Sequence, residues 1–289
     1  MTPVIGPIRK AQLLDPAAGH NRCVRGRHGY MLYNSNDTFI GRSLELYGEW
    51  AEAEVRLLGS MIKPGSIVVD VGANIGCHSV FFGQAAGPEG KVLSFEPERV
   101  LFQQLCANIA LNSLSNVLTF NMAAGASDGS VRIAQMDHTK SQNFGGLSLA
   151  GDNQTANETT SLIRIDDLQL PACTLIKVDV EGMELDVITG ASATIEVYKP
   201  VLYVENNNEA KSGPLITRLL EFGYHLYWHF SPFFTEDNYF GNAENIFGNV
   251  CDTNMLALPI AIDGLLPVTG PEDTHMKAIE RDAARMGAG

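Results

Sequence analysis

The chain has 289 residues, of which 45% are hydrophobic and 18% are charged, an ordinary composition for a globular protein with one large core. Its formal net charge of -13 disfavours a protein that must neutralise a phosphate backbone or an anionic membrane, so we expect no nucleic-acid partner. No apolar run approaches the length of a membrane span or a signal-peptide core, so we expect a soluble, cytoplasmic protein.

The N-terminal part of the sequence predicts a small preamble followed by one helix. Residues 23–47 alternate short apolar stretches with Gly, Asn and Asp, which favours an antiparallel β preamble that packs on the edge of the main fold. Apolar residues then recur at helical spacing over 49–62, and Lys63-Pro64-Gly65 ends that pattern.

The central part sets the fold class. Short β-branched runs alternate with helix-like segments, which predicts right-handed βαβ crossovers and a doubly wound α/β fold with a mostly parallel sheet. The predicted strands are 67–72, 91–97, 116–121, 174–180 and 200–206, and the clearest predicted helices are 74–86, 98–112 and 184–198.

Two further regions complete the predicted organisation. Residues 126–160 are rich in polar residues and interrupt the alternation of strands and helices, which indicates an inserted loop or hairpin over the active face of the sheet. A helix near 215–222 and strands at 223–229 and 254–258 predict an antiparallel pair at the sheet edge. We therefore expect a preamble (1–48), a main domain (49–259) and a C-terminal tail (260–289) with one loosely attached helix.

A glycine turn after the first central strand suggests a nucleotide site. The strand IVVD runs into GANIG, so Gly72 and Gly76 lie where the backbone must turn tightly and approach a ligand. The dehydrogenase fingerprint GxGxxG is not met, because Asn74 and Cys77 occupy glycine positions of that motif. This spacing favours an S-adenosylmethionine site over a nicotinamide-dependent oxidoreductase, which remains the enzymatic alternative.

Residues near the next strand end complete the predicted cofactor site. Glu96 ends the second central strand, where a carboxylate can accept hydrogen bonds from both ribose hydroxyls of an adenosine cofactor. The alternative is that Glu96 is simply a surface-exposed glutamate at a strand end. Pro97 and the small Ala123 and Ala124 can line an adenine slot. Asp128 is available for the adenine amino group, although an Asp-Gly pair is also common in simple turns.

Acidic residues at later strand ends are the candidates for chemistry. Asp179 and Glu181 follow a central strand at the ligand-binding edge, where they can favour a cationic cofactor, position an acceptor or take its proton. Glu184 more simply complements a helix N-terminus. Glu205, followed by three asparagines, ends the next strand and is either a site residue or a polar cap.

Histidine and aromatic residues supply further candidates. His78 lies in the first turn of the helix after the glycine turn, and His225 and His229 flank Trp228. Each of these histidines can act as a base or be purely structural. The aromatic segments YWHFSPFF and NYFGNAENIFGN suggest the wall or lid of an acceptor pocket, with buried aromatic core as the alternative.

The five cysteines give no sign of a disulfide framework or a metal site. They are scattered and form neither CxxC nor Cys/His ligand spacing, so we expect reduced, mostly buried thiols: Cys23, Cys77, Cys106, Cys173 and Cys251. No other metal-ligand spacing stands out, so the sequence predicts a metal-independent protein.

Several motifs in one order resemble the FkbM family of class I methyltransferases. They are DVGANIG, FEPE, NFGGLSL, IKVDVEGMEL and PVLYVEN, and the resemblance extends from about Cys23 to Pro259. It implies a Rossmann-like sheet of seven strands, S-adenosylmethionine as methyl donor with S-adenosylhomocysteine as product, and often O-methylation of a hydroxyl on a sugar, glycan or natural product. A relative that binds the cofactor without catalysis is the alternative from another class.

The resemblance implies cofactor roles for Asp70, Gly72, Asn74, Gly76 and Glu96, and it puts Asp179 and Glu181 at the acidic motif that follows a strand in this family. Together with the candidates taken from the residues themselves, cofactor contacts are expected at Asp70, Gly72, Asn74, Gly76, His78, Glu96, Pro97, Ala124, Asp128 and Asp179. Catalytic candidates are Asp179, Glu181 and His229, and acceptor contacts are expected at Asn143, Glu205 and Trp228. Asp37, Arg42 and Glu49 match family positions to which we assign no role. The identity of the acceptor and the oligomeric state do not follow from the resemblance.

Overall fold

The structure is a computed structural model that describes residues 19–146 and 156–286. Residues 147–155, which hold part of the predicted insert and of the motif NFGGLSL, lie outside the described residues. Among the helices that are described, none has the length and apolarity needed to cross a membrane.

The fold is built on one large, mostly parallel sheet. Within the described residues it has eight strands: β3 (Ile67–Val71), β4 (Lys91–Phe95), β5 (Val117–Phe120), β9 (Leu175–Val178), β10 (Val201–Glu205), β11 (His225–Pro232), β12 (Cys251–Leu258) and β13 (Leu266–Pro267). Their spatial order is β13-β11-β12-β10-β9-β3-β4-β5. The central strands β10, β9, β3, β4 and β5 are parallel, whereas β11, β12 and β13 pair antiparallel at one edge.

The expected α/β class and antiparallel edge pair are confirmed. All seven strands expected for the main sheet are present, and the two-residue β13 extends the antiparallel edge. The division into segments at residues 48 and 259 stays a prediction.

Helices cover both faces of the sheet, which explains why its strands read as continuous apolar runs. Val69 packs into a core with Val187 and Ile216, while its neighbour Val68 faces a second core with Leu58 and Val80. The helices are α1 (Ile40–Tyr47), α2 (Glu52–Gly59), α3 (Cys77–Ala86), α4 (Arg99–Leu111), α5 (Glu184–Gly190), α6 (Ser192–Tyr198), α7 (Glu209–Glu221) and α8 (His275–Met286).

The preamble is only partly β structure. Strands β1 (Asn21–Gly26) and β2 (Gly29–Asn34) form the expected hairpin. The prediction was wrong for 40–47, which form α1, because Ile40, Leu44 and Tyr47 recur at helical spacing and are buried. The single helix predicted over 49–62 is shorter, since α2 begins only after Ala51, which has a left-handed φ of 49°.

The insert contains regular structure at its edges. Strands β6 (Met122–Ala124), β7 (Gly129–Ala134) and β8 (Ala156–Ile163) form a separate sheet in the order β6-β8-β7. The predicted hairpin is therefore the antiparallel pair β7 and β8.

The C-terminal helix is tied to the core, so the expectation of loose attachment was wrong. Ala278 of α8 is fully buried in the same core as Trp228. Asp273 accepts a hydrogen bond from Trp228 Nε1 at 3.2 Å and forms an ion pair with Arg281. The single helix predicted over 184–198 is divided into α5 and α6.

Candidate active site

The main cavity lies at the carboxyl ends of the parallel strands β3, β4, β9 and β10. It has a volume of about 420 Å³. Ligands bind at this edge in doubly wound folds, because the crossover loops and helix N-termini converge there. Among the described residues its lining includes seven carboxylate side chains and one lysine: Glu54, Glu96, Glu98, Asp179, Glu181, Glu205, Asp252 and Lys177. The cavity is therefore suited to a cationic ligand.

The glycine turn between β3 and α3 forms one wall. Gly72 and Gly76 have φ of 81° and 90°, in the left-handed region that favours glycine. A Cβ on Gly72 would lie 1.7 Å from the carbonyl oxygen of Asp179, so a side chain has no space there. Asn74, with φ of 50°, accepts a hydrogen bond from Ile75 N through its own Oδ1 and stabilises the turn.

Glu96 connects the glycine turn to the end of β4. Its Oε2 accepts a hydrogen bond from Asn74 N and its Oε1 from Glu98 N, both at 2.8 Å. Each carboxylate oxygen keeps a second lone pair for a ligand hydroxyl. Burial raises the pKa of Glu96 to about 8, although the two backbone hydrogen bonds act in the opposite direction and lower it. The expected ribose-binding carboxylate thus lies in the cavity wall.

A small apolar slot lies beside Glu96. Pro97, Ala123 and Ala124 line it as expected, and Met122 and Leu101 complete it. Ala123 and Ala124 are buried at the strand β6, which places their small side chains against the cavity. The slot offers a flat aromatic group apolar surface next to a hydrogen-bonding carboxylate.

Carboxylates from two neighbouring strand ends meet across the cavity. Asp179 and Glu181 follow β9, and Glu205 ends β10, so the parallel pairing of these strands brings the three side chains together. Burial, followed by repulsion from Asp179 and Glu184, raises the pKa of Glu181 to about 7. Burial and the same neighbouring charges also raise the pKa of Glu205 well above its ordinary range.

Lys177 supplies the compensating charge beneath the site. Its Nζ donates to Asp179 Oδ2 at 3.0 Å and lies 4.0 Å from Asp70 Oδ1. Burial by itself would lower the pKa of Lys177, but the carboxylates of Asp179 and Asp70 raise it above the ordinary value. Asp70 also accepts a hydrogen bond from Ser79 Oγ at 2.5 Å, and this bond connects β3 to α3 on either side of the glycine turn.

Replacing Lys177 with methionine should destabilise the protein by about 3–5 kcal/mol, because it leaves a buried carboxylate without its cation. Lys177 is 2% exposed and Asp70 is 0% exposed, so water cannot take over that role. Urea unfolding of Lys177→Met measures the loss, and Lys91→Met, at an exposed position of β4, is the matched control. A loss below about 1 kcal/mol, the value typical of surface ion pairs, would contradict this assignment.

The end of the cavity away from the glycine turn is aromatic and acidic. Trp50 and Phe233 lie with ring centroids 4.8 Å apart, and Phe39 meets Phe233 edge-on at 5.5 Å. All three rings line the cavity. The predicted aromatic wall therefore includes Phe233 from the late loop, but also two residues of the N-terminal region that the sequence did not single out.

Two further carboxylates, not predicted, line this acceptor end. Glu54 lies 3.1 Å from His78 Nε2 and accepts from Asn254 Nδ2 at 3.0 Å. Asp252 lies on β12, and burial together with repulsion from Glu54 and Asp179 raises its pKa well above the ordinary value. Sequence spacing could not reveal them, because they reach the cavity from α2 and from the antiparallel edge.

The insert and the late loop enclose the cavity. Asn143 lines it and accepts from Gly145 N at 2.9 Å, and the adjacent Phe144 is buried against His138. Glu49, a family position without an assigned role, accepts from Arg27 Nε at 2.6 Å and from Tyr239 N at 2.7 Å. Glu49 therefore fixes the late loop that carries Phe233.

Several predicted site residues do not line the cavity. Asp128 accepts instead from Arg164 N at 3.3 Å, and Gly76 faces Leu105 behind the turn. His229 lies 2.7 Å from the hydroxyl of Tyr203, and Trp228 is buried in the core beside Asp273. Asp70 does not line the cavity and contacts Lys177 and Ser79 instead. These five positions support the fold around the site and do not reach the cavity.

Comparisons with known proteins show the family of the chain. A family model described as "Methyltransferase FkbM domain" matches residues 70–226, more than half of the chain. Methyltransferase sdnD of Sordaria araneosa is 28% identical over 185 residues, which cover 53% of this chain and 71% of that protein. Hexuronic acid methyltransferase AglP of Haloferax volcanii is 25% identical over 169 residues, covering 54% of this chain and 62% of AglP.

Among solved structures, the FkbM methyltransferase of Methylobacillus flagellatus is similar at a TM-score of 0.46 and 20% identity. The match covers 71% of this chain and 50% of that chain. The chain thus spans less than two thirds of AglP and about half of this solved relative.

Proposed function

The chain belongs to the FkbM methyltransferase domain family, and from that premise we propose that it transfers the methyl group of S-adenosylmethionine to a hydroxyl of a small molecule. The observation that carries the proposal is the buried carboxylate of Glu96, which is hydrogen-bonded to the glycine turn at Asn74 N. A carboxylate in this position is placed to accept the ribose hydroxyls of an adenosine cofactor.

The residues present fit S-adenosylmethionine. The apolar slot at Pro97, Ala123 and Ala124 suits an adenine ring, and the excess of carboxylates in the cavity suits a sulfonium cation. Asp179 is held in place by Lys177 and lies against the glycine turn, where it can favour the positive end of the cofactor. When bound, the cofactor supplies a methyl group on a positively charged sulfur.

The chain's own contribution to catalysis is positioning and proton removal. Transfer needs the acceptor oxygen in line with the methyl carbon and the sulfur, in a site from which water is excluded. A new O–CH3 bond forms as the S–CH3 bond breaks, and the electrons of the broken bond remain on sulfur in S-adenosylhomocysteine. The hydroxyl proton passes to a carboxylate at the acceptor end, for which Asp179 and Glu181 are our candidates.

The acceptor we propose is a sugar, glycan or hydroxylated natural product. The aromatic wall of Phe39, Trp50 and Phe233 offers apolar faces, while Asn143, Glu205 and Asp252 offer hydrogen-bonding groups. Sugars present the same combination of apolar faces and hydroxyls. A relative named as a hexuronic acid methyltransferase supports the same class of acceptor.

The test of this proposal is methyl transfer to a panel of acceptors. The protein is incubated with S-adenosylmethionine labelled in its methyl group and with hexuronic acids, neutral sugars or hydroxylated natural products. Mass spectrometry then follows the label. We expect acceptor-dependent formation of S-adenosylhomocysteine and the label on an oxygen of one class. Label on nitrogen, or none on any acceptor while the cofactor binds, would contradict O-methylation.

Once an acceptor is found, Glu181→Gln should lower kcat by about 100-fold or more, because proton transfer by a positioned carboxylate contributes at least that much. Binding of S-adenosylhomocysteine should change little. The matched control is Glu196→Gln, on the exposed side of α6. A variant that keeps the wild-type kcat would remove Glu181 from the catalytic candidates.

A further inference from the structure

Asp179, Glu181 and Glu205 form a compact group of oxygen ligands, which we call the carboxylate triad. Each offers one carboxylate oxygen, and these oxygens all lie within 4.8 Å of one another. Like charges this close repel strongly in a site of low dielectric, so such a group either holds a proton or binds a compensating cation.

Among the described residues, the hydrogen-bond partners of Glu205 satisfy only one of its two carboxylate oxygens. Its Oε1 accepts from Asn207 Nδ2 at 2.6 Å, whereas its buried Oε2 has no hydrogen-bond partner among the described residues. Glu205 is only 5% exposed and its side chain lines the cavity. A buried carboxylate oxygen without a partner is costly, so this atom points to a ligand that completes the site.

The surroundings favour a cation as that ligand. Lys177 engages Asp179 through Oδ2 alone and is itself shared with Asp70. Asp252 and Glu184, which also raise the pKa of Glu205, are acidic as well. When its carboxyl groups are ionised, the triad therefore carries a negative charge that Lys177 alone does not neutralise.

We propose that the carboxylate triad binds one hard divalent cation, such as Mg²⁺ or Ca²⁺. Both ions prefer oxygen ligands. Bond lengths of 2.0–2.1 Å for Mg²⁺ and 2.3–2.6 Å for Ca²⁺ allow two ligands of one ion to lie at most roughly 4 to 5 Å apart. The triad oxygens, all within 4.8 Å of one another, fall within that reach for Ca²⁺ and need only a small approach for Mg²⁺. The ligands come from two strand ends, which is why the sequence contains no compact metal motif and predicted a metal-independent protein.

The ion would also change the chemistry of the proposed reaction, and this step alone rests on the proposed function. A hydroxyl bound to a divalent cation loses its proton more readily. The triad would then act through the ion, holding the acceptor oxygen at the carboxyl edge of the sheet. Asp179 and Glu181 would then be ligands of the ion, and Asp252, which lines the same cavity outside the triad, would replace them as the acceptor of the proton.

Binding of Mn²⁺ to the metal-free, full-length protein tests the site without any acceptor. Electron paramagnetic resonance measures free Mn²⁺ during a titration, and calorimetry with Mg²⁺ and with Ca²⁺ measures competition. We expect one saturable Mn²⁺ site per chain from which at least one of these two ions displaces Mn²⁺. No saturable site, or a site for which neither Mg²⁺ nor Ca²⁺ competes, would overturn the proposal.

Glu205→Gln should weaken Mn²⁺ binding at least about tenfold, the lower end of the effect of altering residues around a metal. The matched control Glu196→Gln should bind as the wild type does. The metal-free variant should unfold at the same or a higher temperature, because one like charge is gone, whereas a purely structural Glu205 would make it less stable. Equal affinity in both variants would overturn the site.

The two proposals can fail separately. Binding of S-adenosylhomocysteine, measured on the same samples, depends on Glu96 and the glycine turn and does not need an ion at the triad. Cofactor binding without a Mn²⁺ site would overturn only the cation proposal. A Mn²⁺ site without cofactor binding would overturn the methyltransferase proposal and leave the cation site intact.

Discussion

Glu96→Gln should weaken binding of S-adenosylhomocysteine by at least about 100-fold. In its ionised form, which predominates above its pKa of about 8, the carboxylate can accept hydrogen bonds from both ribose hydroxyls, and hydrogen bonds to a charged group contribute roughly 1.5–3 kcal/mol each. Glutamine offers one acceptor oxygen, and its amide NH2 would face a backbone donor at Asn74 N or Glu98 N. Two bonds lost or weakened correspond to about two orders of magnitude in Kd. Calorimetry with S-adenosylhomocysteine measures the change.

The control for this variant is Glu89→Gln, the same substitution at an exposed position in the turn before β4. It should bind the ligand as the wild type does. Thermal unfolding of Glu96→Gln separates loss of a ligand contact from loss of the fold. If a folded Glu96→Gln variant binds within about threefold of the wild type, the ribose site is not at Glu96.

Gly72→Ala should destabilise the protein by about 3 kcal/mol or more and abolish cofactor binding. Alanine at a φ of 81° costs roughly 1–2 kcal/mol. The added Cβ would also meet the carbonyl oxygen of Asp179 at 1.7 Å, so either β3 or β9 must move, and overpacking of this kind costs about 1–3 kcal/mol. Urea unfolding measures the loss of stability.

Gly65→Ala separates the two contributions to that loss. Gly65 has a similar φ of 87°, but a Cβ there would have no atom within 4 Å. We expect only the backbone cost, about 1–2 kcal/mol, and unchanged cofactor binding. Equal losses in the two variants would show that the contact with Asp179 does not restrict position 72.

The sequence predicted the fold well where the pattern was local. Buried parallel strands gave continuous apolar runs, and their alternation with helices indicated the crossovers, as the sheet confirms. The family resemblance is confirmed by the match over residues 70–226. The error at α1 arose because residues 40–47 mix Gly and Ser with apolar residues, which obscures a short helix whose stability comes from packing.

The site was predictable only in part. Residues that follow a strand directly, such as Glu96, Asp179 and Glu205, could be placed at the ligand edge from the strand pattern alone. Glu54 and Asp252 were missed, because α2 and the antiparallel β12 bring them to the cavity from distant parts of the chain. His229 was misplaced, since a strand residue faces either side of the sheet and the pattern near Trp228 does not decide which.

The electrostatics of the cavity depend on the same long-range assembly. Lys177 lies on a predicted strand, but its contacts with Asp70 and Asp179 depend on the pairing of β3 with β9. The carboxylate triad likewise exists only because β9 and β10 are parallel neighbours. Spacing along the chain therefore indicates individual acidic residues, whereas the sheet order decides which of them share a ligand.

Calorimetry of the wild-type protein with S-adenosylmethionine, S-adenosylhomocysteine and NADH tests the central claim most directly. The glycine turn, Glu96 and the acidic cavity predict binding of both adenosyl ligands at one site per chain, with no binding of the dianionic NADH. Binding of NADH, or of none of the three ligands, would contradict the assignment of this cavity to S-adenosylmethionine.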